Sequence, residues 1–247
     1  MRGMKAARSA VSEFPLALVP PAPRPADGTG HRSRLRRRLF EGGPEALHEH
    51  ELVEYLLALA LPRRDTKALA KRMIQDFGGF AQLLSADADT IMRRCEVSEN
   101  VAAAIKIAQA SAIRLLKAEA VGKTVLGSWQ ALMDYLAADM GFLPIERVRV
   151  LYLNAKNMLI RDELLSEGTV DEAAVYVRSV IKGAVDTHAT AMILVHNHPS
   201  GDPQPSRQDI QLTREIIEAA RPLRIQVHDH VIVGAGRHYS MREKGLI

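Results

Sequence analysis

Five consecutive apolar residues, Ala191-Met192-Ile193-Leu194-Val195, run directly into His196-Asn197-His198 and then into Pro199-Ser200-Gly201-Asp202-Pro203-Gln204-Pro205. No other stretch limits the folding of this chain so strongly. A short, uniformly apolar run bounded by turn residues reads as a buried strand. Alternate side chains on a strand point the same way, so His196 and His198 aim two imidazoles at one point. The Pro/Gly segment then turns the chain. Ser206-Arg207-Gln208-Asp209 follows as a helix start, with Ser206 at the N-cap and Asp209 in the first turn, where its charge suits the helix dipole. That turn brings Asp209 back as a third candidate ligand. Two histidines and a carboxylate, with a fourth position left to water, form the donor set of a catalytic zinc site. Capping and metal binding are compatible, because a helix N-terminus both fixes Asp209 and favours an anion nearby.

The chain has 247 residues, enough for one or two domains with a buried core. Hydrophobic residues make up 47% and charged residues 25%, the balance of a soluble globular protein. A net charge of +4 is too small to argue for nucleic acid by itself. The clustered Arg32, Arg34, Arg36, Arg37 and Arg38 suit either phosphate contacts, chiefly through Arg34, Arg36 and Arg37, or a solvated helix face. One cysteine, Cys95, excludes an intrachain disulfide and a cysteine-based zinc site and fits a reducing, cytoplasmic setting. No run approaches the ~18 apolar residues of a membrane-spanning helix, so no membrane partner is expected. The apolar patch Phe14–Val19 is interrupted by Pro15 and followed by more prolines, which does not read as a signal peptide.

Composition divides the chain. Residues 1–30, rich in Pro, Ala and Gly, read as a disordered tail. Residues 31–119 carry helical periodicity: Leu47, Leu52, Leu56 and Leu59 mark one helix, Thr66–Phe77 a second that stops at Gly78-Gly79, and Val101–Lys117 a longer one. Residues 120–127, with Gly122 and Gly127, read as a linker. From 128 to 247 helices alternate with strands. Trp129–Met140, Ala173–Ala184 and Asp209–Ala220 read as helices. Val148–Leu153, Met158–Ile160, Ala191–Val195, Arg224–Val227 and His230–Val233 read as strand material, and Asn154–Asn157 as a hairpin turn. The expected fold class is α/β, a two-layer or three-layer domain, preceded by a small all-α domain.

His196-x-His198, seven residues, Ser206, two residues, Asp209 resembles the JAMM/MPN+ metalloprotease signature. His-Asn-His-Pro-Ser-Gly-Asp-Pro is similar to the bacterial RadC family, long labelled a DNA-repair family, and the likeness covers roughly residues 30 to 247. It includes Pro62-Arg63-Arg64-Asp65, Val148–Leu153, Gly168-Thr169-Val170 and Asp229–Gly234. The resemblance implies a curved mixed sheet flanked by helices, similar to cytidine deaminases, and a zinc-dependent hydrolase of amide or isopeptide bonds with one Zn2+ per chain. Glu146 occupies the place of that signature's upstream glutamate, which implies general acid/base duty. Ser206 matches the serine that donates to the oxyanion of a tetrahedral intermediate, beside its plainer reading as an N-cap.

The order of the N-terminal helices resembles a helix-hairpin-helix module, in which a Gly-rich hairpin offers backbone N–H groups to a DNA phosphate. Here the hairpin reads Cys95-Glu96-Val97-Ser98-Glu99, with no glycine and two carboxylates. A plain helical packing domain accounts for it equally well. His228-Asp229-His230 admits two readings. His228 and His230 on one strand face can form a second metal site, or Asp229 and His230 can orient the first-site ligands or sit as satisfied core polar groups. Two functions follow: a metallohydrolase acting on protein or peptide, or a DNA-associated accessory protein. Physiological substrate and oligomeric state are left open.

Overall fold

The computed structural model describes residues 30–62, 64–120, 124–168 and 175–247. The expected tail, Gly30 aside, and residues 121–123 of the expected linker lie outside the described residues. So do the first two residues of the helix expected at Ala173–Ala184.

The N-terminal half is helical throughout. Helix α1 (His31–Gly42) ends at Gly43, and a 3-10 turn leads to α2 (Glu49–Ala60). Helix α3 (Lys67–Phe77) stops where Gly78 takes the left-handed conformation, φ 80°. Two short helices, α4 (Phe80–Ser85) and α5 (Ala88–Cys95), precede the long α6 (Glu99–Ala120). Val53, Leu57, Ala70, Met73, Leu83, Ile91 and Ile105 form the core of this half, and Cys95 packs among them. The apolar face of α2 differs from the expected one. Val53 and Leu57 are buried, Leu52 and Leu56 lie at the margin, and Leu59 is 68% exposed. Helix α2 is apolar on most sides, so packing against α3 and α6 selects the face.

The C-terminal half begins with α7 (Trp129–Met140), β1 (Glu146–Leu153) and β2 (Leu159–Gly168). It continues through α8 (Val177–Asp186), β3 (Ala191–Asn197), α9 (Arg207–Ala220), β4 (Gln226–Gly234) and β5 (Arg237–Ser240). The strands make one mixed sheet in the order β2-β1-β3-β4-β5. The β3–β4 pair is parallel and the others are antiparallel. Helix α7 covers one face through Leu151, Leu153, Ile193, Val195, Val231 and Val233. Helices α8 and α9 cover the other over Val150, Tyr152, Met192 and Leu194. All seven residues of the central β3 are buried, which is why its sequence is apolar without alternation. Helix α8 comes so close to β1 that a side chain on Gly183 would collide with the Tyr152 hydroxyl.

The β3–β4 pairing contains a bulge. Met192 pairs with Val227 and Ile193 with Asp229, so His228 is skipped. One extra residue in a strand reverses the side on which every later residue emerges. Leu194 therefore pairs with His230, and both lie on the α8/α9 side.

Candidate metal centre

The strand order converges the chemistry. On β3, His196 follows Leu194 on the α8/α9 side, and His198 follows the strand end. Asp209 stands in the first turn of α9, which begins at the loop's far end. The His196 and His198 Nε2 atoms are 2.9 Å apart. Asp209 Oδ1 lies 3.3 Å from His196 Nε2, and Oδ2 lies 3.5 Å from His198 Nε2. One donor atom from each of the three lies within 4.8 Å of the others. A tetrahedral ion with bonds of about 2.0–2.1 Å sets its ligand atoms roughly 3.3–3.5 Å apart, close to these spacings. The donor set and its dimensions fit a divalent metal such as zinc.

Each side chain is held from behind. The Ser206 hydroxyl oxygen accepts the Asp209 N–H at 3.1 Å, and the Ser206 N–H donates to Asp209 Oδ2 at 2.7 Å, a reciprocal capping box. His198 Nδ1 faces the Asp202 carbonyl at 2.9 Å. A carbonyl only accepts, so Nδ1 carries the proton and Nε2 keeps its lone pair for the site. Burial resists ionisation of Asp209, yet the two imidazoles and the Ser206 side chain hold its carboxyl well below the usual carboxylate range. The Asp209 carboxylate in turn raises His198 against the effect of burial.

Glu146 opens β1, two residues before Val148, which pairs with His196. Glu146, Ser206, His196, His198 and Asp209 all line one cavity of about 370 Å³, whose apolar wall includes Val148, Val175 and Leu212. Asn197, on the opposite side of β3 from the histidines, clamps the start of β1. Its Oδ1 accepts the Arg147 N–H at 2.9 Å, and its Nδ2 donates to the Ile145 carbonyl at 3.0 Å, on either side of Glu146. Sequence reasoning passed over Asn197, although its place between the two histidines was a signal.

The bulge decides the second histidine cluster. His228 and His230 do not share a face, contrary to one sequence expectation, because the skipped residue lies at His228. The His228 Nε2 meets Asn157 Oδ1 in the β1–β2 turn at 2.7 Å. His230 Nε2 instead meets His196 Nδ1 at 2.8 Å. Burial pushes the His230 ring well below its ordinary pKa, with His196 adding to the effect, so the ring is neutral. Asp229 faces away from the metal centre; its carboxylate accepts from the Ser240 hydroxyl, the Arg242 N–H at 2.9 Å and the His230 N–H at 2.7 Å. Asp229 thus braces the strand that carries His230.

Two arginines of α1 have partners within the fold and three are not buried. Arg38 pairs with Glu51, and Arg32 donates to carbonyls at the end of α2, while Arg34, Arg36 and Arg37 stay exposed. In the hairpin between α5 and α6, Glu96 and Glu99 are both exposed.

A family described as a RadC-like JAB domain matches residues 126–246. A UPF0758 protein of Rhodobacter capsulatus is 46% identical over 213 residues, covering 86% of this chain and all of that protein.

Proposed function

The chain belongs to the RadC family, and from that premise we propose that it is a zinc-dependent hydrolase of JAMM type acting on an amide or isopeptide bond of a protein or peptide. The observation that carries this reading is the convergence of His196, His198 and Asp209 on one wall of a cavity that Glu146 and Ser206 also line. A zinc ion there supplies Lewis acidity and brings the ionisation of water close to neutral pH. Glu146 serves as the base that takes the water proton and returns it to the leaving amine. The Ser206 oxygen is occupied by the Asp209 N–H, which leaves its single O–H to donate to the substrate carbonyl as negative charge develops. The N-terminus of α9 adds positive potential at the same place. Val148, Val175 and Leu212 give a substrate side chain an apolar contact.

Metal analysis of untagged protein tests the reading. We expect one zinc per chain in the wild type and its loss in both His196→Ala and Asp209→Ala. Unchanged zinc in both variants would remove the assignment. Glu146→Gln should keep the metal and lose roughly 10²- to 10⁴-fold in peptide hydrolysis.

The exposed Arg34, Arg36 and Arg37 favour a second reading, a DNA-associated accessory role. Under it, the logarithm of duplex affinity falls linearly with log salt, and replacing the three arginines flattens that slope. An absence of binding at low salt excludes it.

A further inference from the structure

Thr213 is fully buried on α9 and lies 2.6 Å from His230 Nδ1 and 2.5 Å from the carbonyl oxygen of Asp209. It therefore ends a continuous line of contacts that starts at His196 Nδ1 and passes through the His230 ring. We propose that Thr213, acting through His230, is a positioning residue that fixes the tautomer of His196 and ties the backbone of Asp209 to the same brace. The proposal rests on the reading of His196 and Asp209 as metal ligands.

The direction of the line follows from its far end. A carbonyl oxygen cannot donate, and two oxygens 2.5 Å apart repel unless a proton lies between them. The Thr213 hydroxyl has one proton, and that contact takes it. The Met241 Sδ, 3.7 Å away, is a weak acceptor and a poor competitor. The Thr213 oxygen is then an acceptor toward the ring, so the Nδ1 of His230 must carry the hydrogen. Among the described residues the buried ring has only His196 and Thr213 as partners and no carboxylate to hold a charge, so it is neutral and its other nitrogen is bare. Nε2 of His230 consequently accepts, and Nδ1 of His196 donates to it. His196 is left with an unprotonated Nε2, and that atom is the one facing Asp209 and His198. The reverse direction would place a hydrogen on His196 Nε2 and block it as a ligand.

The line joins three elements, β3, β4 and α9. His196 comes from β3 and His230 from β4, while Thr213 sits one helical turn after Asp209 on α9. A shift of α9 would therefore disturb the orientation of His196 along with that of Asp209. The residues involved are sealed from water: His196 and His230 are each 2% exposed and Thr213 is 0% exposed. No solvent molecule can substitute for the hydroxyl without room being made for it.

Two measurements on the full chain test this. In metal-free wild type, long-range 1H–15N correlation of the histidine rings should show His196 protonated on Nδ1; an Nε2-protonated ring overturns the proposal. Zinc affinity is then read by chelator competition, with the Co2+ absorption spectrum reporting ligand geometry. Thr213→Val keeps the volume and removes the hydroxyl, and it should bind zinc about 10- to 100-fold more weakly with an altered Co2+ spectrum. Thr213→Ser should recover most of that loss. Wild-type affinity and an unchanged spectrum in Thr213→Val overturn the proposal while leaving the metal centre intact. A wild type that binds no metal, yet shows the Nδ1 tautomer, instead defeats the metallohydrolase reading and leaves the brace standing. Should Thr213→Val fail to fold, the tautomer measurement and His230→Gln, whose amide can accept from His196 and donate to Thr213, decide the matter. Loss of zinc affinity in His230→Leu with retention in His230→Gln supports the brace, and equal affinity in both overturns it.

Discussion

At the scale of single residues, Gly234 sets how closely the loop after His198 can approach the sheet. A Cβ on Gly234 would stand 2.9 Å from the Gly201 backbone, and Gly201 itself occupies φ 80°. The same loop carries the Asp202 carbonyl that orients His198. Gly234→Ala should therefore push the loop outward, weaken zinc binding, and cost about 1–3 kcal/mol of stability. Chelator competition and urea unfolding would check both effects, and unchanged zinc affinity would show that the loop adjusts freely. The three candidate ligands were legible in sequence because strand alternation and a helix cap are local rules. Asn197 and Thr213 were not, because their partners Ile145, Arg147 and His230 are far away along the chain and no spacing rule connects them. His230 was among the residues expected to orient the ligands, but its separation from His228 was hidden, since nothing local in Gln226–His230 announces an extra residue.

At the scale of elements, α1 is joined to α2 by the pair Arg38–Glu51, 2.6 Å apart. The Arg38 guanidinium foremost, and then the His48 N–H, offset burial and hold the Glu51 carboxyl down from 4.5 to about 2. A depressed carboxyl adds stability above its unfolded pKa and loses it as pH falls through the folded one. The contribution is thus complete above 4.5 and drains toward about 2. Arg38→Gln should destabilise the protein at neutral pH, and the gap from wild type should close on acidification, as followed by urea midpoints across that range. A gap independent of pH would assign the loss to packing. Helices were the easiest elements to read: the ends of α7 match Trp129–Met140, and Gly78-Gly79 does end α3. Strands were harder. The charges of His228 and Asp229 split β4 into two apparent pieces, although Gln226–Gly234 is continuous. Edge strand β2 hides behind Arg161, Asp162, Glu163 and Glu167. Four-residue β5 has no apolar run at all and was not anticipated. Helix α8 begins at Val177 and ends at Asp186, both later than its alanines suggested, with buried Val180, Gly183 and Ala184 setting its inner face.

At the scale of the molecule, a buried ionic network connects the long α6 to the sheet. Asp162 is bound by Arg149 at 2.8 Å, by Lys117 of α6 at 3.1 Å and by the Tyr135 hydroxyl at 2.8 Å; Arg149 also pairs with Asp139. Burial chiefly, aided by Asp162, pushes the Tyr135 hydroxyl well above its ordinary pKa, so it remains a donor. Asp162→Ala would strand Lys117 and half of Arg149, and should cost about 3 kcal/mol. Thermal unfolding would show this as a lower midpoint, and loss of coupling between the halves would split the transition in two. An unchanged midpoint would mean that Asp139 alone satisfies Arg149. Val125, within the expected linker, is only 2% exposed and belongs to the sheet's core, so at least this part of the connection is packed rather than loose. The residue that β4 carries without a partner has a wider consequence. Odd and even positions exchange roles at His228, so the stretch before it and the stretch after it keep separate count. Removing that one position would leave a regular strand with the same pairs, Ile193 with Asp229 and Leu194 with His230, so His230 would stay on the α8/α9 side. A one-residue deletion at His228 should therefore disturb the wall formed by His196 and His230 far less than one at Ile193 of β3, where every residue has a partner.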